Sequence, residues 1–209
     1  MNIATTRGQP KTLSLPNILT YARIAAIPVV IGAIYWQSIL DGPLWLRWVA
    51  LAVFIAAGVT DYLDGYYARI WDQQSAFGRM LDPIADKLLV ASCLLMLAAD
   101  NSIHGWTLWA AIVILCREIL VSGLREYLAG LRVSVPVTKL AKWKTTIQLI
   151  AIGFLLAGEA GDQALPPAAG PLVTMIGLFL LWMSAILTIY TGWDYFRAGI
   201  HHLIKEDEG

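Results

Sequence analysis

The 209-residue chain is 58% hydrophobic and only 14% charged, with 15 basic and 15 acidic side chains that balance to zero net charge. A soluble domain has about 25% charged residues, so this composition is shifted toward a lipid solvent. It excludes a disordered tail, a collagen-like fibre and a disulfide-rich secreted scaffold, and the missing basic excess excludes a nucleic-acid partner.

A helix needs about 20 mostly apolar residues to cross the hydrocarbon core. Six runs of this kind follow one another at residues 17–36, 45–69, 78–100, 106–128, 143–158 and 171–196. They predict an all-α integral membrane protein with six transmembrane helices. The polar segment 1–16 leaves room for a short N-terminal interfacial helix at 10–15 and shows no small-residue cleavage site, so it is not read as a signal peptide. The membrane domain spans 17–196, and 197–209 reads as a polar cytoplasmic tail. The fifth run is the shortest, and Pro166, Pro167, Gly170 and Pro171 mark a turn after it. Cys93 and Cys116 stand alone inside apolar runs and read as small buried hydrophobes.

Lys and Arg placement gives the orientation. Arg7, Lys11, Arg69, Arg79, Arg125, Arg132, Lys139, Lys142, Lys144, Arg197 and Lys205 gather on one side. Arg47 and the acids Asp41, Asp100, Glu159 and Asp162 lie on the other. The basic side is the cytoplasmic one, which places both termini in the cytoplasm. Trp36, Trp45, Trp48, Trp106 and Trp109 mark the outer interface, and Trp71, Trp143 and Trp193 the inner one. His104, His201 and His202 fall in a loop or the tail, away from any Ser-His-Asp or Cys-His set.

Four carboxylates break the apolar pattern. Asp61 and Asp64 are three apart at the inner end of the second span; Asp82 and Asp86 are four apart at the inner start of the third. Each spacing puts two acids on one helix face, and the hairpin between the spans brings the pairs together. A buried charge costs about 2.5–3.5 kcal/mol on insertion scales, so four together approach on the order of 10 kcal/mol. Oxygen ligands without His or Cys point to a hard divalent cation, Mg²⁺ or Mn²⁺, with room for two ions, and away from zinc. Gly65 and Ala68 leave either an open groove beside the acids or a close helix contact. The same acids also admit a divalent-cation transporter, although all four sit at one membrane edge.

The pattern Asp61-x₂-Asp64-Gly65-x₂-Ala68-Arg69-x₈-Gly78-x₃-Asp82-x₃-Asp86 resembles in full the signature of the CDP-alcohol phosphotransferases, eight fixed residues in a 26-residue window. The resemblance implies a six-helix, homodimeric membrane enzyme that passes a phosphatidyl or related group from a CDP-linked donor to an alcohol and releases CMP. It implies that Asp61, Asp64, Asp82 and Asp86 hold the metal ions and that Asp86 is the general base. Asp61, Asp64, Gly65, Ala68, Arg69 and Gly78 then bind the CDP donor. It further implies a bacterial inner membrane location with the site facing the cytoplasm.

The acceptor is read from other residues. Arg117 lies midway along the fourth span and needs an anionic partner, and Arg125 follows about 80° around the same helix. With Lys139 or Lys142 they form a basic pocket suited to an acceptor that carries its own phosphate. The stretches from Arg117 to Glu126 and from Lys142 to Gln148, and the opening Pro16 to Arg23, resemble bacterial family members whose acceptor is glycerol 3-phosphate. Ala141 departs from that pattern, where glycine is expected before the lysine. The expected reaction joins CDP-diacylglycerol and glycerol 3-phosphate. Sister reactions with another phosphate-bearing acceptor, those of a cardiolipin synthase or an inositol phosphate transferase, stay open, and the last span reads as generic apolar sequence.

Overall fold

The computed structural model describes residues 15–71, 76–130 and 139–207, with side chains at 17–61, 80–130, 140, 142–193, 196 and 197. Within them lie six α-helices and no strand: α1 Leu15–Ile39, α2 Trp45–Trp71, α3 Ala76–Ala99, α4 Thr107–Gly130, α5 Lys139–Gln163 and α6 Leu172–Asp207. One short 3₁₀ turn, Pro167–Ala169, fills the connection before α6. The shortest helices have 24 residues, about 36 Å at 1.5 Å per residue, enough for the roughly 30 Å hydrocarbon core. The interfacial helix expected at 10–15 lies outside the described residues.

Three segments are apolar enough along their length to cross a membrane unaided: Asn17–Ile39, Thr107–Gly130 and Pro167–Trp193. The helices they leave out, α2, α3 and α5, are interrupted by charged residues, including the four aspartates. α1 packs on α2 and α3, α6 packs on α4 and α5, and an α2–α5 contact joins the two groups. The core runs through Val30, Ile34, Phe54, Leu94, Leu97, Ile114, Ile152, Leu155 and Leu181. The outside is apolar too: Leu95, Ile119, Phe179, Ile186 and Ile189 are exposed. So large an apolar surface would aggregate in water, and lipid is the solvent that accepts it. Cys93 is buried, whereas Cys116 is exposed. It shares the outward face of α4 with Ile112, Ile119 and Leu120, three or four residues away.

The fifth helix is longer than its apolar run. It starts at Lys139 and passes Gly158, where the backbone breaks at φ 38°, ψ −120° before continuing to Gln163. α6 runs unbroken to Asp207, so the segment expected as a tail from 197 is helical through 207.

The break at Gly158 meets a buried arginine. Arg47 donates from Nε to Gln37 Oε1 (2.8 Å) and from Nη2 to Asp100 Oδ2 (2.6 Å). Its Nη1 reaches Ser102 Oγ (3.5 Å) and the Leu155 carbonyl (3.4 Å). That carbonyl lies within the last turn before the break, where regular i to i+4 pairing ends, and the guanidinium caps it. One side chain thus ties α1, α2, α5 and the α3–α4 connection at the same end of the bundle. Asp162 closes the remaining side by accepting from the Val173 N–H (2.6 Å) and the Thr174 hydroxyl (2.6 Å), which fixes the start of α6. At this end Gly42 also follows α1 so closely that a Cβ there would lie 2.7 Å from the Trp36 carbonyl oxygen.

Candidate active site

The opposite end of the bundle carries the acids. Near the start of α1, Asn17, Thr20 and Arg23 recur every three residues on one helix face, and each is only 1% exposed. A buried guanidinium must find anions, and among the described residues Arg23 finds two. Its Nη2 lies 2.9 Å from Asp61 Oδ1 on α2, and its Nη1 lies 3.0 Å from Asp86 Oδ1 on α3. One turn earlier, the Thr20 hydroxyl donates to Asp82 Oδ1 at 2.5 Å. Two side chains of α1 therefore gather three of the four predicted carboxylates from two other helices.

The arrangement is open and electrically incomplete. The Asp61 and Asp86 side chains are 47% and 48% exposed although their arginine is buried. Each of the three acids spends one oxygen on α1; among the described residues its second oxygen has no hydrogen-bond or ion-pair partner. Among the described residues, three carboxylates face Arg23 with Lys87 also near Asp86, which leaves negative charge in surplus. Free hard oxygens and a negative surplus suit a divalent cation in donor chemistry. Among the described residues no three acids close on a single ion, and the side chains of Asp64, Ala68, Arg69 and Lys139 lie outside them, as do the surroundings of Gly65 and Gly78. The backbones of Asp64, Gly65, Ala68 and Arg69 continue α2, and that of Gly78 lies in the first turn of α3.

A second polar network lies between α4, α5 and α6. Glu118 accepts from the Lys144 ammonium and faces Arg117 Nη1 at 3.9 Å. Arg117 Nη2 donates to Thr191 Oγ1 (3.0 Å), and Ser184 donates to Gln148 (3.5 Å). Ser184, Thr188 and Thr191 form a buried stripe on α6, and among the described residues the Thr188 hydroxyl has no hydrogen-bond partner. Gly192 lets α6 pass the arginine stem, since a Cβ there would lie 3.1 Å from Arg117 Cγ. Of the cations predicted for the acceptor, Arg117 belongs to this network, while Arg125 and Lys142 are exposed. Among the described residues the buried lysine is Lys144, at 1% exposure.

Residues 13–190 match the family of CDP-alcohol phosphatidyltransferases. The chain belongs to that family. Among its relatives, the CDP-diacylglycerol–glycerol-3-phosphate 3-phosphatidyltransferase of Cereibacter sphaeroides is 40% identical over 222 residues, covering 92% of this chain and 98% of the relative. The protein of the same name from Rickettsia bellii is 44% identical over 185 residues, 88% of this chain and 94% of the relative. A cardiolipin synthase (CMP-forming) of Oryza sativa is 41% identical over 207 residues, 94% of this chain but 60% of that protein. The family match takes in the carboxylate cluster and all of the second polar network except Thr191, one residue past its end.

The sequence marks Thr20, Arg23, Glu118 and Lys144 only as members of stretches that resemble the family, with no role of their own, and does not mark Thr191. For Arg23 the signal was present: an ionisable group inside an apolar run, with Asn17 and Thr20 on its face, requires a partner. For Lys144 it was hidden in helix phase. Lys142 and Lys144 differ by about 200° around the axis, so only packing decides which one turns inward.

Proposed function

We propose that the protein transfers the phosphatidyl group of CDP-diacylglycerol to glycerol 3-phosphate, giving phosphatidylglycerol phosphate and CMP. The observation that carries this reading is the open carboxylate cluster on α2 and α3, negative in surplus, in a chain whose relatives bear that name. Asp61, Asp64, Asp82 and Asp86 would hold Mg²⁺ or Mn²⁺, which supplies neutralisation of the donor pyrophosphate and of the departing CMP. Asp86 takes the proton of the acceptor's primary hydroxyl as its oxygen bonds to the phosphatidyl phosphorus and the bond from that phosphorus to CMP breaks. Gly65, Ala68, Arg69 and Gly78 border the donor. Arg117 and Lys144, held in register by Glu118 and Thr191, orient the acceptor phosphate, with Arg125 and Lys142 nearer its entry. The Lys and Arg asymmetry supports a multi-pass protein with the carboxylate end toward the cytoplasm, and a bacterial inner membrane location follows from the family resemblance. Assembly as a homodimer follows from the family resemblance.

The rice relative supports a second reading, in which phosphatidylglycerol is the acceptor and cardiolipin the product. Purified protein supplied with labelled CDP-diacylglycerol and glycerol 3-phosphate, phosphatidylglycerol, inositol phosphate or serine, each separately, decides the matter. Labelled phosphatidylglycerol phosphate from glycerol 3-phosphate alone is the expected result. Labelled cardiolipin instead would transfer the assignment to the second reading.

A further inference from the structure

The carboxylate cluster is built from outside itself. Asp61 and Asp86 belong to different helices and repel each other, yet both point one oxygen at a single guanidinium that is 1% exposed. The planar fork of Arg23 presents two donors in fixed relation, so it sets the distance and tilt between the two acids as well as offsetting a charge. Thr20 does the same for Asp82 through one short hydrogen bond, from the same face of the same helix. In all three acids the second oxygen stays free among the described residues. A guanidinium serving only as a counter-charge would not need this one-oxygen-each division.

We propose that Arg23 and Thr20 are positioning residues for the metal: α1 orients Asp61, Asp82 and Asp86 so that their free oxygens are preset for a divalent cation. The assignment rests on the metal reading given above. Neither residue is a catalytic residue, because each acts through a carboxylate. Hydrogen-bonded partners of metal-binding carboxylates change metal affinity by about 10–100-fold when removed.

The test is Mn²⁺ binding to the purified full chain in detergent, followed by electron paramagnetic resonance of the free ion, without substrate. The native protein should bind Mn²⁺, Arg23→Gln should bind it about 10–100-fold more weakly, and Arg23→Lys should fall between, keeping the charge but not the fork. Thr20→Val, which spares the arginine, should lose about tenfold and serves if Arg23→Gln does not fold. Equal or tighter Mn²⁺ binding by folded Arg23→Gln would reduce Arg23 to a counter-charge or a packing group and overturn the proposal while leaving the metal reading intact. Native affinity in Thr20→Val would overturn it for Asp82. A native protein that binds no Mn²⁺ would overturn the metal reading, and this assignment with it.

Discussion

Two arginines are buried at opposite ends of the same bundle, Arg23 at 1% and Arg47 at 4% exposure, and they do different work. Arg47 faces Asp100, whose side chain is fully buried; charge balances one to one, and every nitrogen of the guanidinium has an acceptor. Arg23 faces half-exposed acids that outnumber it and keep oxygens in reserve. The first arrangement is a closed clamp across helices; the second is a site awaiting charge. Burial of the cation is the same in both. What separates structure from function is the state of its partners: saturated and enclosed at one end, unsaturated and open at the other.

If that distinction is right, changes at the two ends should separate activity from stability. Asp86→Asn should show the largest effect on chemistry: CMP release falls by about 10²–10⁴-fold, the range of a lost general base, while the melting transition in detergent stays near native. Arg47→Met should do the reverse. Leaving Asp100 buried without its partner costs about 3–5 kcal/mol, read by thermal or denaturant unfolding, while activity per folded molecule is kept.

Smaller effects sharpen the contrast. Lys144→Met should raise KM for glycerol 3-phosphate about 10–100-fold and leave KM for CDP-diacylglycerol near native, as expected for a lost charged hydrogen bond. Gly158→Ala should lower stability by about 1–3 kcal/mol. Its φ is 38°, and the new Cβ would lie 2.9 Å from Arg47 Nη1. Gly153→Ala is the control on the same helix: its Cβ would meet Leu51 at an ordinary 3.6 Å, and its unfolding transition should stay close to native. Smallest of all, Lys142→Ala at an exposed position should change KM for glycerol 3-phosphate by no more than about twofold, since exposed charge pairs contribute about 0–1 kcal/mol.

Much of this was legible before the fold, and the gaps have physical causes. Long apolar runs placed the first four helices within a few residues, because hydrocarbon thickness fixes their length, while α5 extends past its run at both ends and α6 continues eleven residues beyond 196. The four aspartates stood out for the opposite reason, as charges where lipid should be. The break in α5 was visible only as the end of an apolar run at 158; its conformation depends on Arg47, 111 positions away. Ser184, Thr188 and Thr191 share one helix face by their spacing, but hydroxyls are ordinary in membrane helices, and only the packing of α6 on α4 and α5 shows that this face turns inward. Arg23 carried a signal, but its partners lie 38 and 63 residues on, and their convergence is a property of the assembled helices.

The most direct test of the central claim is CMP release from CDP-diacylglycerol by purified protein with Mg²⁺ or Mn²⁺ and glycerol 3-phosphate, repeated with excess chelator and with Asp86→Asn. The account predicts release that needs both the acceptor and the cation and that nearly vanishes in the variant. Release that continues in chelator, or that survives loss of Asp86, would contradict the assignment of the open carboxylate end as the reaction centre.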